Sequence, residues 1–276
     1  MPRYNTVSVS PNVNGVVRIT IHNGGSNLWD WKLNEDIAEA LDTFNDNTEV
    51  KVVIFSSGNP NFFIAHYDMR PSGPDAPPID VQTKKLFQNI LFKMLRSPIV
   101  FIAEIAGAAR GIGSEFALHC DMRFAARGKT RLGQPEVRVG LLPGAGGVQQ
   151  LVQLLGRGRA FQHILTGVDI DADTAERIGW INQAFEAEEL SQKVGDLAKR
   201  IALFPSDALA ASKDSINACS CPSESDILRD NESIFTLMAK DTQRKLAGKL
   251  YEVTKDLDYR DGPVDDGKVL KYLYEN

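Results

Sequence analysis

Ala106-Gly107-Ala108-Ala109-Arg110-Gly111-Ile112-Gly113-Ser114-Glu115-Phe116-Ala117-Leu118-His119-Cys120-Asp121 follows a short β-branched run, Ile99 to Ala103, and leads into another, Met122 to Ala125. Glycines at 107, 111 and 113, between a strand signal and a short helical run, call for a tight backbone path. Such a turn leaves amide N–H groups free at a helix start, where an anion or oxyanion can be held. The glycine order is G-x-x-x-G-x-G and not the G-x-G-x-x-G of a pyrophosphate turn, and no P-loop pattern occurs, so a dinucleotide-binding reading is weak.

Working outward, Glu115 lies just inside the expected helix. Gly133-Gln134-Pro135-Glu136 brings a second carboxylate beside a proline, ahead of Gly144-Ala145-Gly146-Gly147. Two glutamates near glycine turns can meet in one pocket and divide acid and base roles. Each alone also has a structural reading: a glutamate in a helix's first turn gains about 0.3–1 kcal/mol from the macrodipole.

Strand signals recur at Val16 to Ile21, Val50 to Phe55, Ile99 to Ala103, Met122 to Ala125 and Gly179 to Phe185. Between them stand helical periods: Leu33, Ile37 and Leu41, then Phe87, Ile90, Leu91, Met94 and Leu95, ending before Ser97-Pro98. Alternating strands and helices argue for an α/β fold with mostly parallel pairing. Beyond about residue 145 helical spacing dominates, through Val148 to Leu155, Ala160 to Leu165, Leu190 to Ile201 and Leu246 to Leu257. Ser206 and Ser223, after prolines, are expected N-caps. The terminal helices either cap their own domain or pack on a neighbour. Arg70 to Pro78, rich in Pro and Gly, is expected to be an exposed loop.

The composition is that of an ordinary soluble globular chain: 276 residues, 43% hydrophobic, 24% charged, with 22 Gly and 13 Pro. A net charge of −5 provides no overall positive field for nucleic acid. Cys120, Cys219 and Cys221 are odd in number, which fits a reducing compartment, and the four histidines form no metal-ligand pattern, so no metal is expected. No apolar run is long enough to span a membrane, and neither end reads as a targeting signal, so the cytoplasm is the expected location. Cys120 reads as a packed thiol, Arg110 as a surface or interface residue, Cys219-Ser220-Cys221 as a loop, and Asp256 to Asp266 as a solvated acidic tail.

Five blocks in order over residues 15 to 215 carry a resemblance: Phe62 to Met69, Gly107 to Asp121, Gly133 to Glu136, Gly140 to Gly147 and Leu165-Thr166-Gly167. Together they resemble the enoyl-CoA hydratase/isomerase (crotonase) superfamily. The resemblance implies a spiral of ββα repeats over residues 1–200 and a C-terminal helical region, 201–276, for trimerisation or capping. It implies trimers or dimers of trimers, an acyl-CoA thioester as substrate, and no cofactor, coenzyme A being part of the substrate. It carries an oxyanion hole to the backbone N–H groups of Ala65 and Ile112, and substrate contacts to His66, Tyr67, Asp68 and Gly133. Glu115 would activate the water that attacks the β-carbon and Glu136 would deliver the α-proton, making a hydro-lyase. Other reactions of the superfamily on a CoA thioester, or a non-catalytic scaffold or RNA-binding relative, are the alternatives. Three departures stand out: Ile112 where glycine is usual, His66 where a small residue is common, and the indoles of Trp29 and Trp31. The rings shape the acyl site or fill core and interface.

Overall fold

The computed structural model describes residues 4–44, 49–68, 75–254 and 266–275. Among them are ten strands: β1 (Val7–Val9), β2 (Val16–Ile21), β3 (Val52–Ser57), β4 (Phe62–Ile64), β5 (Val100–Ile105), β6 (Ala108–Arg110), β7 (Met122–Ala126), β8 (Arg131–Gly133), β9 (Ile170–Asp171) and β10 (Gln183–Phe185). They form a six-stranded sheet in the order β1-β2-β3-β5-β7-β10 and a four-stranded sheet in the order β4-β6-β8-β9. Pairing is parallel throughout except at β1–β2 and β8–β9.

The β3–β4, β5–β6 and β7–β8 pairs each lead into a helical segment. The first strand of each pair joins its predecessor in the six-stranded sheet and the second joins the four-stranded one, so the chain advances one strand per turn of a ββα spiral. Central strands covered on both faces become continuous apolar runs, as in Val52, Val53, Ile54 and Phe55 of β3, all buried. On β2 only Val17, Ile19 and Ile21 are buried, and Arg18 points away to pair with Glu104 at 2.8 Å.

Two glycines set how closely the sheets' connections approach. A Cβ on Gly107 would lie 2.3 Å from the Asn61 carbonyl carbon, and one on Gly113 would lie 2.2 Å from Ile64 O. The helix Ile112–His119 is thereby pressed against the end of β4. Behind it Phe116 meets Phe55 at 4.8 Å and Trp29 at 5.1 Å between ring centroids. Trp29 is therefore core, while the half-buried Trp31 opens the helix Trp31–Asp42 with Asp30 as its N-cap.

The C-terminal region holds the helices Ser206–Ser220, Glu224–Met238, Asp241–Thr254 and Asp266–Glu275. Lys213 anchors the first of them, donating to Met94 O, Ile99 O and Asp121 Oδ2 at 2.8–2.9 Å. Several local expectations change. Pro205, not Ser206, is the N-cap of its helix, whereas Ser223 is the N-cap as expected, its hydroxyl pairing with Ser225 Oγ at 2.5 Å. Cys219 and Ser220 are helical and not in a loop. A π-helical turn, Phe87–Leu91, interrupts the helix expected there. The strand foreseen at Val50 to Phe55 runs two residues later, because Val50 lies before the first paired residue, Val52. Arg70 to Pro74 of the foreseen loop and most of the acidic tail lie outside the described residues. Among the described residues, no helix is long and apolar enough to cross a membrane.

Candidate active site

The positive φ of this turn falls on a glycine and not on Ile112. Gly111 takes φ +52°, so Ile112 begins the helix Ile112–His119 with ordinary helical geometry and a first-turn amide. Gly111 N is held by Gly133 O at 3.0 Å, which fixes the turn to the end of β8. A Cβ at Gly111 would stand 2.9 Å from Glu136 Oε1, so the glycine also leaves room for that carboxylate.

Glu115, one turn into the helix, is buried. Its Oε1 accepts the N–H groups of Ala145 at 2.7 Å and Gly147 at 2.9 Å, at the start of the helix Gly147–Leu155. Desolvation pushes its pKa up to about 7, against the downward pull of those two amides, and the charge of Asp230 raises it further. Glu136 opens the 3-10 turn Glu136–Val139. Its pKa is raised well above the usual carboxylate range, first by burial and then by Glu115, with Arg138 opposing. The two carboxyls therefore sense one another. Gln134 is buried beside them; with its amide oriented to satisfy the hydrogen-bond network, its nitrogen donates to Glu136 Oε1 at 3.2 Å and Oε2 at 3.3 Å.

Both glutamates line a cavity of about 370 Å3, together with Ala65, His66, Tyr67, Asp68 and Ile112. Gly133, foreseen as a substrate contact, does not line it; its carbonyl supports Gly111 instead. Arg110, read from sequence as a surface or interface residue, lines the cavity and donates from Nε and Nη2 to one oxygen, Asp169 Oδ2, because β6 ends at the cavity wall. Trp29 and Trp31 do not line it.

One of the two amides expected as oxyanion donors already has an acceptor. Ala65 N–H is already given to Ser26 O at 3.2 Å. Two residues on, Trp29 and Tyr67 form a parallel bridge in which Trp29 N donates to His66 O and Asp68 N donates to Trp29 O, both at 2.9 Å. Extended backbone alternates its amide directions, so the bridge leaves the Tyr67 amide facing away from Trp29, without an acceptor among the described residues. Sequence reasoning had no means of seeing this: which amide is spent depends on the neighbouring segment. His66 Nδ1 lies 2.7 Å from Tyr67 O. The Tyr67 hydroxyl reaches Gln82 Oε1 at 3.3 Å, and burial raises its pKa to about 12, so it stays protonated at neutral pH.

The cavity's remaining wall was not foreseen. Asn231, Ile234 and Met238 line it from the helix Glu224–Met238, and Leu250, Val269 and Leu273 from the two helices that follow. Helices of the C-terminal region thus wall the cavity of their own chain. Among the described residues, no group of three or more His, Cys, Asp or Glu side chains is placed to hold a metal ion.

Residues 12–261 match the family model described as enoyl-CoA hydratase/isomerase. The chain is 34% identical over 193 residues to a short-chain-enoyl-CoA hydratase of Clostridium acetobutylicum, covering 67% of this chain and 72% of that one. It is 36% identical over 170 residues to a crotonyl-CoA hydratase of Syntrophomonas wolfei, covering 60% and 64%. A solved structure from Streptomyces avermitilis, provisionally named an enoyl-CoA hydratase, superposes with a TM-score of 0.84 at 35% identity over 98% of both chains. The shared ββα spiral and the match over nearly all of the sequence lead to one conclusion: the chain belongs to the enoyl-CoA hydratase/isomerase family.

Proposed function

We propose that the protein adds water to a 2-enoyl-CoA thioester, or removes it from the 3-hydroxyacyl product. The observation that carries this reading is the placement of two coupled carboxyls, Glu115 and Glu136, on one cavity with the first-turn amide of Ile112. The thioester oxygen is taken as bound by the N–H groups of Ile112 and Tyr67, with Tyr67 replacing Ala65 as donor. One such donor is worth about 2.7–4 kcal/mol of transition-state stabilisation.

Glu115, held by two amides, takes a proton from water as the oxygen bonds to the β-carbon. Glu136, whose ionisation is opposed by burial and by Glu115, gives its proton to the α-carbon, where the former double-bond electrons form the new C–H bond. The proton on Glu115 then returns to Glu136 or to solvent, and the reverse sequence dehydrates. The relatives named as hydratases support this direction of reading. The same enolate chemistry without water addition would give double-bond migration.

Incubation of crotonyl-CoA with the protein in heavy-oxygen water, read by mass spectrometry, tests the proposal. Label on the acyl chain is expected. Label only in a released acid, or an isomerised but unlabelled thioester, would overturn it.

A further inference from the structure

The helix Glu224–Met238 presents a single face to the cavity. Asn231, Ile234, Phe235 and Met238 line it at the i, i+3, i+4, i+7 spacing of one helical stripe. The stripe is about 10 Å long at 1.5 Å per residue. Its starting end is fixed by Gly144: a Cβ there would lie 3.5 Å from Asn231 Cα and 2.1 Å from Ile234 Cδ1. The next residue, Ala145, gives its N–H to Glu115. Asn231 and Ile234 therefore stand beside the loop that holds the carboxylate, and Met238 stands two turns further along the helix.

After Asn231 the stripe is entirely apolar. Phe235 and Met238 are 37% and 38% exposed, so large apolar surface is left uncovered within a cavity. Leu250, Val269 and Leu273 add further apolar lining from the last two helices. The charged groups, Asp68, Arg110, Glu115, Glu136 and Arg138, come from the strand-rich part of the chain. An apolar stripe that begins at the reacting centre and is uncovered along its length fits an aliphatic tail better than it fits a short acyl group.

We infer that this helix face is an acyl-chain ruler: the tail beyond the reacting carbons lies along Ile234, Phe235 and Met238, and the substrates are apolar acyl chains longer than crotonyl. The inference rests on the placement of the thioester at Glu115 and Glu136 proposed above. Burial of each added methylene raises kcat/KM about fourfold until the stripe is filled.

The test is kcat/KM for a series of straight-chain trans-2-enoyl-CoAs with wild type, Met238→Trp and Met238→Ala. Wild type should rise with chain length. Met238→Trp should lower the ratio of long-chain to crotonyl kcat/KM at least about tenfold, and Met238→Ala should move the optimum to a longer chain. A flat wild-type profile, or variants that change every substrate by the same factor, would overturn the ruler. Calorimetry with saturated acyl-CoAs separates this from the hydration reading. Affinity that grows with length and loses that growth in Met238→Trp keeps the ruler even if no enoyl-CoA is hydrated. Affinity independent of length, or no binding of any acyl-CoA, removes it.

Discussion

Glu115 and Glu136 line the same cavity but are seated differently. Glu115 projects from a helix made inside the spiral and is clasped by two backbone amides at another helix's start. Glu136 sits on a 3-10 turn whose outer side is covered by the C-terminal helices: Val139 packs with Leu246, Val269 and Leu273, and the Tyr274 hydroxyl donates to Arg138 O at 2.8 Å. Amide donors favour the charged carboxylate; among the described residues Glu136 has no pair of backbone amides like that on Glu115, and sets the Gln134 side chain against burial and a second carboxyl, which favour the protonated acid. In the proposed mechanism this difference in seating divides the labour: one group accepts a proton and the other holds one.

The largest expected effect comes from removing either group. Glu115→Gln and Glu136→Gln should each lower crotonyl-CoA hydration by about 10²–10⁴-fold. The double variant should fall much less than the product of the two, since they act as a unit. Steady-state kinetics of the three variants checks this.

Next is Gly111→Ala. The new methyl would stand 2.9 Å from Glu136 Oε1, at a backbone φ of +52° that alanine resists. A displacement approaching 1 Å can cost about a hundredfold in kcat, so a loss of about ten- to a hundredfold is expected. A further penalty of about 1 kcal/mol in stability should appear in urea melts.

A smaller effect follows from linkage. Each carboxyl is harder to ionise in the folded chain, so the native state binds more protons than the unfolded one above the ordinary carboxyl range. Stability therefore falls as pH rises through that window, which for Glu115 extends from 4.5 to about 7. Glu136→Gln removes one such cost: its Tm should exceed wild type by about 2–4 °C near pH 8 and match it near pH 4. The acid limb of the wild-type activity profile should likewise lie near pH 7, where Glu115 ionises, not in the ordinary carboxyl range.

The smallest effect is at the outer clamp. Tyr274→Phe should cost about 0.5–1.5 kcal/mol in thermal or chemical melts, the worth of one hydrogen bond, and should leave the Glu115 seat untouched.

Much of the large sheet was legible in the sequence because β2, β3 and β5 are six residues long, enough to show an alternating or a continuous apolar pattern: Val16 to Ile21 falls on β2 with the same ends. The four-stranded sheet was not, because β4, β6 and β8 have three residues each, too few to show a period of two. Glu115 and Glu136 were marked by the glycines around them. Ala65 was expected as a donor and Tyr67 only as a substrate contact, because a motif places a strand end but not the direction of each amide, which the bridge to Trp29 decides. The stripe Asn231, Ile234, Phe235, Met238 has a helical period that core packing would produce equally well. Only the fold shows that it faces a cavity.

The division of labour is tested most directly by hydrogen exchange at the α-carbon of butyryl-CoA in heavy water, followed by NMR. A saturated thioester offers no double bond to hydrate, so the exchange isolates the proton-transfer step. Wild type and Glu115→Gln should incorporate deuterium, and Glu136→Gln should not. Exchange that persists in Glu136→Gln and vanishes in Glu115→Gln would contradict the assignment.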